Sequence, residues 1–315
     1  MMFWRLALSI AFAAFALGAV GAALVVGWMT PSVLRRARGT APARQASIFF
    51  RLRIAPTAAA AIWAFAVVLP TFLWFEPRGT MESAGRALTI AALAGLALLI
   101  QVLYRIGGAW YATHRLSHKW RRRGRPFQTR EALDAIIIDE ALPVVAIVGV
   151  FRPRLFISER VLRACTAGEL SAMIAHESAH VRRRDNLRRL LVRVCADLPP
   201  GSWPLYPQWN ASTEEAADSA AVARAPELRV DLAHALVRVA RLASSGELPA
   251  PASAFYLGGD VESRVRRIID PVEFEAPHPS GCLFGGALGG ALAIAAIAAA
   301  PALHIALEAA VRLLP

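Results

Sequence analysis

Five residues near the middle of the sequence, His176-Glu177-Ser178-Ala179-His180, have the types and spacing of a metal-dependent hydrolytic site. Residues four apart share one face of an α-helix, so both imidazoles reach a single ion, and Zn²⁺ takes histidine nitrogens at about 2.0–2.1 Å. Glu177 lies beside that face, within reach of a water at the metal rather than of the metal itself. A carboxylate placed there takes the proton of that water as it attacks a carbonyl. The competing reading is two surface histidines on an amphipathic helix. A catalytic zinc site needs a third protein ligand and one open position. Downstream, Thr213-Glu214-Glu215-Ala216-Ala217-Asp218 offers two glutamates, either of which can serve. Asp218 follows Glu214 by four residues and so shares its face, where a further carboxylate orients a ligand imidazole. That spacing favours Glu214 over Glu215. Without the upstream motif, the same cluster reads as a solvated acidic helix face.

The elements around these residues are legible in outline. Thr166 and Glu169 fit a capping box that opens a helix running through Ala172-Met-Ile-Ala175 into the motif. Ahead of it, residues 135–139, 144–148 and 154–158 read as strands. A turn at Phe151-Arg-Pro-Arg154 joins the last two, which suggests a small hairpin-based sheet. After the break at Leu198-Pro-Pro-Gly-Ser-Trp-Pro204, helical stretches are expected over 212–223, 227–244 and 260–269.

These elements belong to a chain that is too apolar to be wholly soluble. Of its 315 residues 56% are hydrophobic and 18% charged, against about 25% charged in ordinary soluble domains, and the mean hydropathy is +0.44. Bilayer crossing needs roughly 20 apolar residues, and four segments qualify: 6–29, 54–75, 87–104 and 283–303. The first is longer than the apolar core of a cleaved signal peptide and is expected to be a retained anchor. In the fourth, Gly285, Gly286, Gly289 and Gly290 form two GxxxG patterns that allow close helix packing, against another span or in a homodimer. Residues 30–53 hold six arginines and no acid. Residues 105–130 hold seven arginines, Lys119 and no acid. The net charge of +12 therefore sits beside the spans, which the positive-inside rule makes cytoplasmic. The N-terminus and the loop between the second and third spans are then expected outside, and residues 108–281 in the cytoplasm. The run Trp120-Arg-Arg-Arg-Gly-Arg125 points to lipid headgroups rather than to nucleic acid. Cys165, Cys195 and Cys282 are odd in number, form no CxxC and indicate no disulfide framework.

His176-Glu-Ser-Ala-His-Val-Arg-Arg-Arg-Asp185-Asn-Leu187 resembles the HExxHxxRRDN signature of the BlaR-type membrane zinc peptidases, the antirepressor and β-lactam-sensing receptor family. Residues 150–157 are similar to the strand-turn-strand stretch that this family places ahead of the motif. Residues 167–176 resemble its active-site helix, Glu214-Glu-Ala-Ala-Asp218 its ExxxD third-ligand pattern, and residues 261–268 the segment before its last span. The resemblance covers roughly residues 1–300. The chain departs from it in Ala-Ala-Asp where the family has Ala-Cys-Asp, a form nearer the HtpX-type and CAAX-prenyl proteases. Asn210-Ala-Ser-Thr213 stands where the family has a basic run. About a dozen residues follow the fourth span, so an external penicillin-binding domain is not expected, nor β-lactam sensing by this chain alone.

The resemblance implies a mainly α chain: multi-pass transmembrane helices plus a gluzincin-like α+β zinc peptidase domain with a small sheet. The expected organisation is three transmembrane helices in 1–107, a cytoplasmic peptidase domain in 108–281, and a fourth transmembrane helix with a short external tail in 282–315. The implied site is His176, His180 and Glu214 around Zn²⁺, with Glu177 as base, Asp218 behind a ligand, and Asp185 in a structural role at the end of the active helix or paired with an arginine. Tyr206, Tyr256 and His234 are the candidate oxyanion donors. His234 is expected to be a packing residue, and His114, His118 and His278 interfacial. The implied activity is an inner-membrane endopeptidase cutting a cytoplasmic or membrane-proximal protein in regulatory signalling, such as a transcriptional repressor. A partner sensor protein or a second copy is the expected companion, and direct nucleic-acid binding is not expected. Two alternatives are a signalling scaffold with structural zinc, which has no need of Glu177, and an HtpX-type quality-control protease, which differs in substrate.

Overall fold

The computed structural model describes residues 2–76, 85–129, 134–195, 205–244 and 261–271. The chain begins with three long apolar helices. Helix α1 is Met2–Ala37; α2 (Pro42–Ala61) passes through a π-helical stretch, Ile62–Val68, into α3 (Leu69–Phe75); α4 is Arg86–Arg123. The π stretch ends where Pro70, which has no N–H, interrupts the ordinary ladder. By length and composition, Phe3–Ala37, Pro42–Phe75 and Arg86–Arg123 can each cross a membrane, so the chain is a multi-pass membrane protein with three such helices among the described residues. All three outrun the apolar segments read from sequence, because each helix continues past the point where its residues turn polar. The expected fourth span, 283–303, lies outside the described residues, as do Cys282 and His278.

Where α1 and α4 cross, Gly95 packs directly on the carbonyl of Phe12, leaving no room for a Cβ atom. Leu6, Ile10, Val68, Phe72 and Leu88 fill the space around that crossing. The polar region is not separate from the helical bundle. Val26, Ala37, Ala46 and Phe49 from α1 and α2 form one buried cluster with Val192, Leu205 and Trp209, residues that flank the site described below.

Beyond α4 the chain forms a four-stranded sheet of β1 (Arg125–Gln128), β2 (Asp134–Ile138), β3 (Val145–Val148) and β4 (Arg154–Ser158), in the order β1-β2-β4-β3. The β3–β4 hairpin is antiparallel, as the turn at 151–154 suggested. The sheet is nevertheless mixed. β2 runs parallel to β4, and β1, which the basic run of Arg121–Arg125 obscured, adds an antiparallel edge. This leaves β3 as the other edge.

Helices α5 (Glu159–Ala164), α6 (Ala167–Arg182), α7 (Asp185–Val194), α8 (Leu205–Arg224), α9 (Arg229–Ser244) and α10 (Val261–Ile269) complete the described chain. The capping box at α6 forms in both directions: the Thr166 hydroxyl accepts from the Glu169 amide, and Glu169 accepts from the Thr166 amide. α6 is buried between the sheet on one side, through Met173 and Ile174 against Leu155 and Ile157, and α8, α9 and α10 on the other, through Ala172 and Ala175 against Ala221, Leu232 and Ile268. Alanines on the second face let these helices approach closely, and that closeness brings α8 side chains onto α6. α8 begins at Leu205, well before the expected 212, because Leu205 and Trp209 are anchored in the cluster with α2.

The Gly95 crossing yields a stability prediction. Gly95→Ala forces α1 and α4 apart and should destabilise the protein by about 1–3 kcal/mol, the usual cost of overpacking. Gly21→Ala, where a Cβ meets nothing within 4 Å, should be neutral or mildly stabilising. Unfolding midpoints of the detergent-solubilised variants check both.

Candidate active site

The motif lies in the second half of α6, and the helix buries both imidazoles; His176 is 8% exposed and His180 9%. Their Nε2 atoms face each other at 3.1 Å. Each ring is held from behind by a carboxylate on a different helix. His180 Nδ1 donates to Asp185 Oδ2 on α7 at 2.9 Å, and His176 Nδ1 lies 2.8 Å from Asp218 Oδ1 on α8. Glu214, one turn before Asp218, places Oε2 3.6 Å from His176 Nε2 and Oε1 3.8 Å from His180 Nε2. The ligand atoms of His176, His180 and Glu214 all lie within 4.8 Å of one another.

The donor chemistry fits a zinc ion. A carboxylate only accepts hydrogen bonds, so each Nδ1 carries the proton and each Nε2 is left with its lone pair. Two Nε2 atoms that face one another across 3.1 Å, with a carboxylate beside them, suit a shared cation: a shared proton in the absence of metal, or one metal ion held by all three groups. Without a metal, the surrounding carboxylates draw protons onto the imidazoles instead. Burial alone lowers the pKa of His180, yet Asp185 and Glu214 push it up to about 10. Burial likewise opposes the His176 cation, but Asp218 and Glu214 raise its pKa above the usual value. Burial raises Glu214 and Asp218, but the two imidazoles and Arg264 hold Glu214 well below the carboxylate range, and Arg264 with His176 holds Asp218 at about 2. The pocket stabilises positive charge at the place where the ligand atoms converge.

Local backbone explains why Asp185 reaches His180. α6 ends at Arg182, and Arg184 adopts a left-handed conformation with φ of 54°. That conformation costs a non-glycine residue on the order of 1 kcal/mol, and it turns the chain so that α7 starts with Asp185 under the His180 ring. Asp185 is 1% exposed, and its Oδ2 also lies 3.3 Å from Arg183 Nε. The expected arginine pairing is therefore present, but the imidazole is the nearer partner.

Glu177 points from α6 to the sheet edge, and its Oε2 accepts from the Ile147 amide of β3 at 3.1 Å. Glu215 faces away from the histidines and pairs with Arg267 of α10. Two arginines flank the ligand carboxylate. Arg264 of α10 forks onto Asp218, Nε to Oδ2 and Nη2 to Oδ1, both at 2.8 Å, and its Nη1 is 3.5 Å from Glu214 Oε2. Arg189 of α7 lies 3.6 Å from Glu214 Oε1. Neither arginine was singled out from sequence. Arg264 stands 46 positions from Asp218 in the chain, with no spacing rule to join them; the signals were the helical pattern of 260–269 and the family resemblance of 261–268, neither of which points to Asp218.

The suggested oxyanion donors are not brought to this site. Tyr206 accepts hydrogen bonds from Arg193 on the side facing α2, and His234 is exposed on α9 rather than packed. Tyr256 lies outside the described residues. His114 and His118 are exposed and stacked on α4, consistent with neither ligation nor burial.

A family model described as BlaR1 peptidase M56 matches residues 77–268. The chain belongs to this family. It is thus an M56 metallopeptidase whose His176, His180 and Glu214 form the zinc-binding arrangement, and its substrates are proteins. No curated protein matches the sequence. Among solved structures, the crystal structure of S. mikatae Ste24p is similar at 12% sequence identity and a TM-score of 0.33, covering 68% of this chain and 72% of that one.

For an M56 site built this way, metal content should follow the side chains that converge. Purified wild type should hold about one Zn²⁺ per chain; His176→Ala and His180→Ala should lose it. Glu214→Ala should weaken binding by roughly 100-fold or more, whereas Glu215→Ala, which only breaks the pair with Arg267, should change it little. Chelator competition with metal analysis measures all four.

Proposed function

We propose that the protein is an integral-membrane zinc endopeptidase with Glu177 as general base, organised as three transmembrane helices in 1–107, a cytoplasmic peptidase domain in 108–281 and a fourth span with a short external tail in 282–315. The observation that carries the reading is the placement of Glu177: it sits on the same helix as two apposed Nε2 atoms and has one carboxylate oxygen anchored to a strand edge. Zn²⁺ held by His176, His180 and Glu214 supplies Lewis-acid polarisation of the scissile carbonyl and makes a water easier to deprotonate. The residues around it do the rest. Asp185 and Asp218 fix the imidazole rings and their tautomers. Arg264 keeps Asp218 and Glu214 ionised in a buried setting. The Ile147 amide holds Glu177 Oε2, which leaves Oε1 to accept the water's proton and later to deliver it to the departing amine.

An extended substrate aligned on β3 is consistent with this arrangement. The backbone groups of the even residues of β3 face β4, as the bond from the Ser158 amide to the Val144 carbonyl shows, so the amides and carbonyls of Val145 and Ile147 face away from it. Ile147 is already engaged on both its amide and its carbonyl, which leaves Val145 to pair with a peptide. By its resemblance to the antirepressor family, the substrate would be a regulatory protein such as a repressor, cut in response to a membrane signal. The charge pattern supports a peptidase domain on the cytoplasmic side of the plasma membrane.

Two measurements test this. Glu177→Gln keeps side-chain size and both histidines, so zinc should remain while proteolysis falls by about 10²–10⁴-fold, the usual worth of general-base assistance. Terminal-peptide mass spectrometry of cells carrying either form should show peptides released only by the wild type; identical profiles would leave the zinc a structural role. For orientation, a reporter fused after Gly201 should read as cytoplasmic and one inserted near Thr80 as external. The reverse pattern would exclude cytoplasmic repressors as substrates.

A further inference from the structure

We propose that Asn186 is a positioning residue of the reaction: it ties β3 to α7 so that the Ile147 amide can hold the Glu177 carboxylate. The inference rests on the reading of Glu177 as general base. Asn186 Nδ2 donates to the Ile147 carbonyl at 3.0 Å and to the Gly149 carbonyl at 2.9 Å. Both carbonyls belong to the outward edge of β3, the edge that β4 does not use. Gly149, with φ of +112°, is in a conformation that favours glycine and turns its carbonyl toward α7. One amide group thus satisfies two acceptors that would otherwise be left on an open edge beside a buried helix.

The chemistry at this position is directional. An NH₂ group facing two carbonyl oxygens is attracted by both; a carboxylate there would be repelled by both. The preceding residue has the opposite demand, since Asp185 faces an imidazole N–H and a guanidinium, which need an acceptor. Asp185 and Asn186 are nearly the same shape and cannot be exchanged. Together they place the two sides of the site from one turn of α7: Asp185 fixes the His180 ring, and Asn186 fixes the strand whose amide fixes Glu177. Asn186 touches neither the ligand atoms nor the reacting carboxylate, so its action is through the backbone of Ile147.

The test uses the full chain in lipid nanodiscs and reads amide hydrogen exchange at Ile147 with zinc content per chain. In Asn186→Ala and Asn186→Asp, exchange at Ile147 should accelerate by about tenfold or more, with Asp at least as severe as Ala, because two carbonyls lose their donor and the strand edge opens locally. Exchange across α6 and zinc content should stay at wild-type values. Glu177→Ala should also accelerate Ile147, and the double variant with Asn186→Ala should exceed the Asn186→Ala rate by no more than about twofold, since the bond from the Ile147 amide to Glu177 then depends on the strand edge that Asn186 holds. Wild-type exchange at Ile147 in the Ala variant overturns the proposal. So does acceleration spread evenly over α6 and the sheet, and so does a multiplicative double variant. If Asn186→Asp fails to fold, the Ala variant and the double variant still decide. A wild type that binds no zinc would sink the metal reading instead, and the exchange comparison would remain informative about Asn186.

Discussion

The structure around the site depends on one constraint: two imidazole Nε2 atoms held face to face at 3.1 Å inside the protein. The contact needs a shared cation between the nitrogens and a fixed ring orientation on either side of it. Each ring is held from its far side by a carboxylate, and these two carboxylates come from different helices, Asp185 from the start of α7 and Asp218 from the middle of α8. Carboxylates this deeply buried are costly unless paired. The arginines follow from that cost. Arg264 neutralises Asp218 and lies against Glu214, while Arg183 and Arg188 lie near Asp185. Helices α7 and α8 are thus tied to α6, and α10 to α8, by charge complementarity as well as by apolar packing.

The same arrangement joins the site to the membrane helices. α8 carries Glu214 and Asp218 toward α6, but its first turns bury Leu205 and Trp209 against Phe49 of α2 and Val26 of α1. α7 starts at the His180 ring and ends where Arg105 of α4 donates to the carbonyls of Arg193 and Cys195. Both helices that supply carboxylates to the imidazoles are therefore seated on apolar helices at their other ends.

Much of the site could be read from the sequence because it is local. The four-residue spacing of His176 and His180 determines that they share a face wherever α6 lies. The Thr166–Glu169 capping box fixes where that helix starts, and the Glu214–Asp218 spacing places the ligand and the carboxylate behind His176 on one side of α8. The β3–β4 hairpin followed from its turn residues, and the three apolar helices from their length. Each of these rests on contacts within a few residues, which helical and strand periodicity encode directly.

What the sequence alone left open were the meetings of distant segments, and these the tertiary structure decided. The parallel pairing of β2 with β4 joins strands that no turn connects, and β1 lay hidden in a run of arginines whose charge pointed to lipid. Asp185 looked like a helix-end residue until the left-handed Arg184 turned it under His180. Arg264 and Asn186 lay within stretches that resemble the family but carried no assigned role: one became the counter-charge of a carboxylate 46 positions away, the other the donor to a strand edge 39 and 37 positions away. Periodicity encodes which face a residue occupies; only packing determines what that face meets.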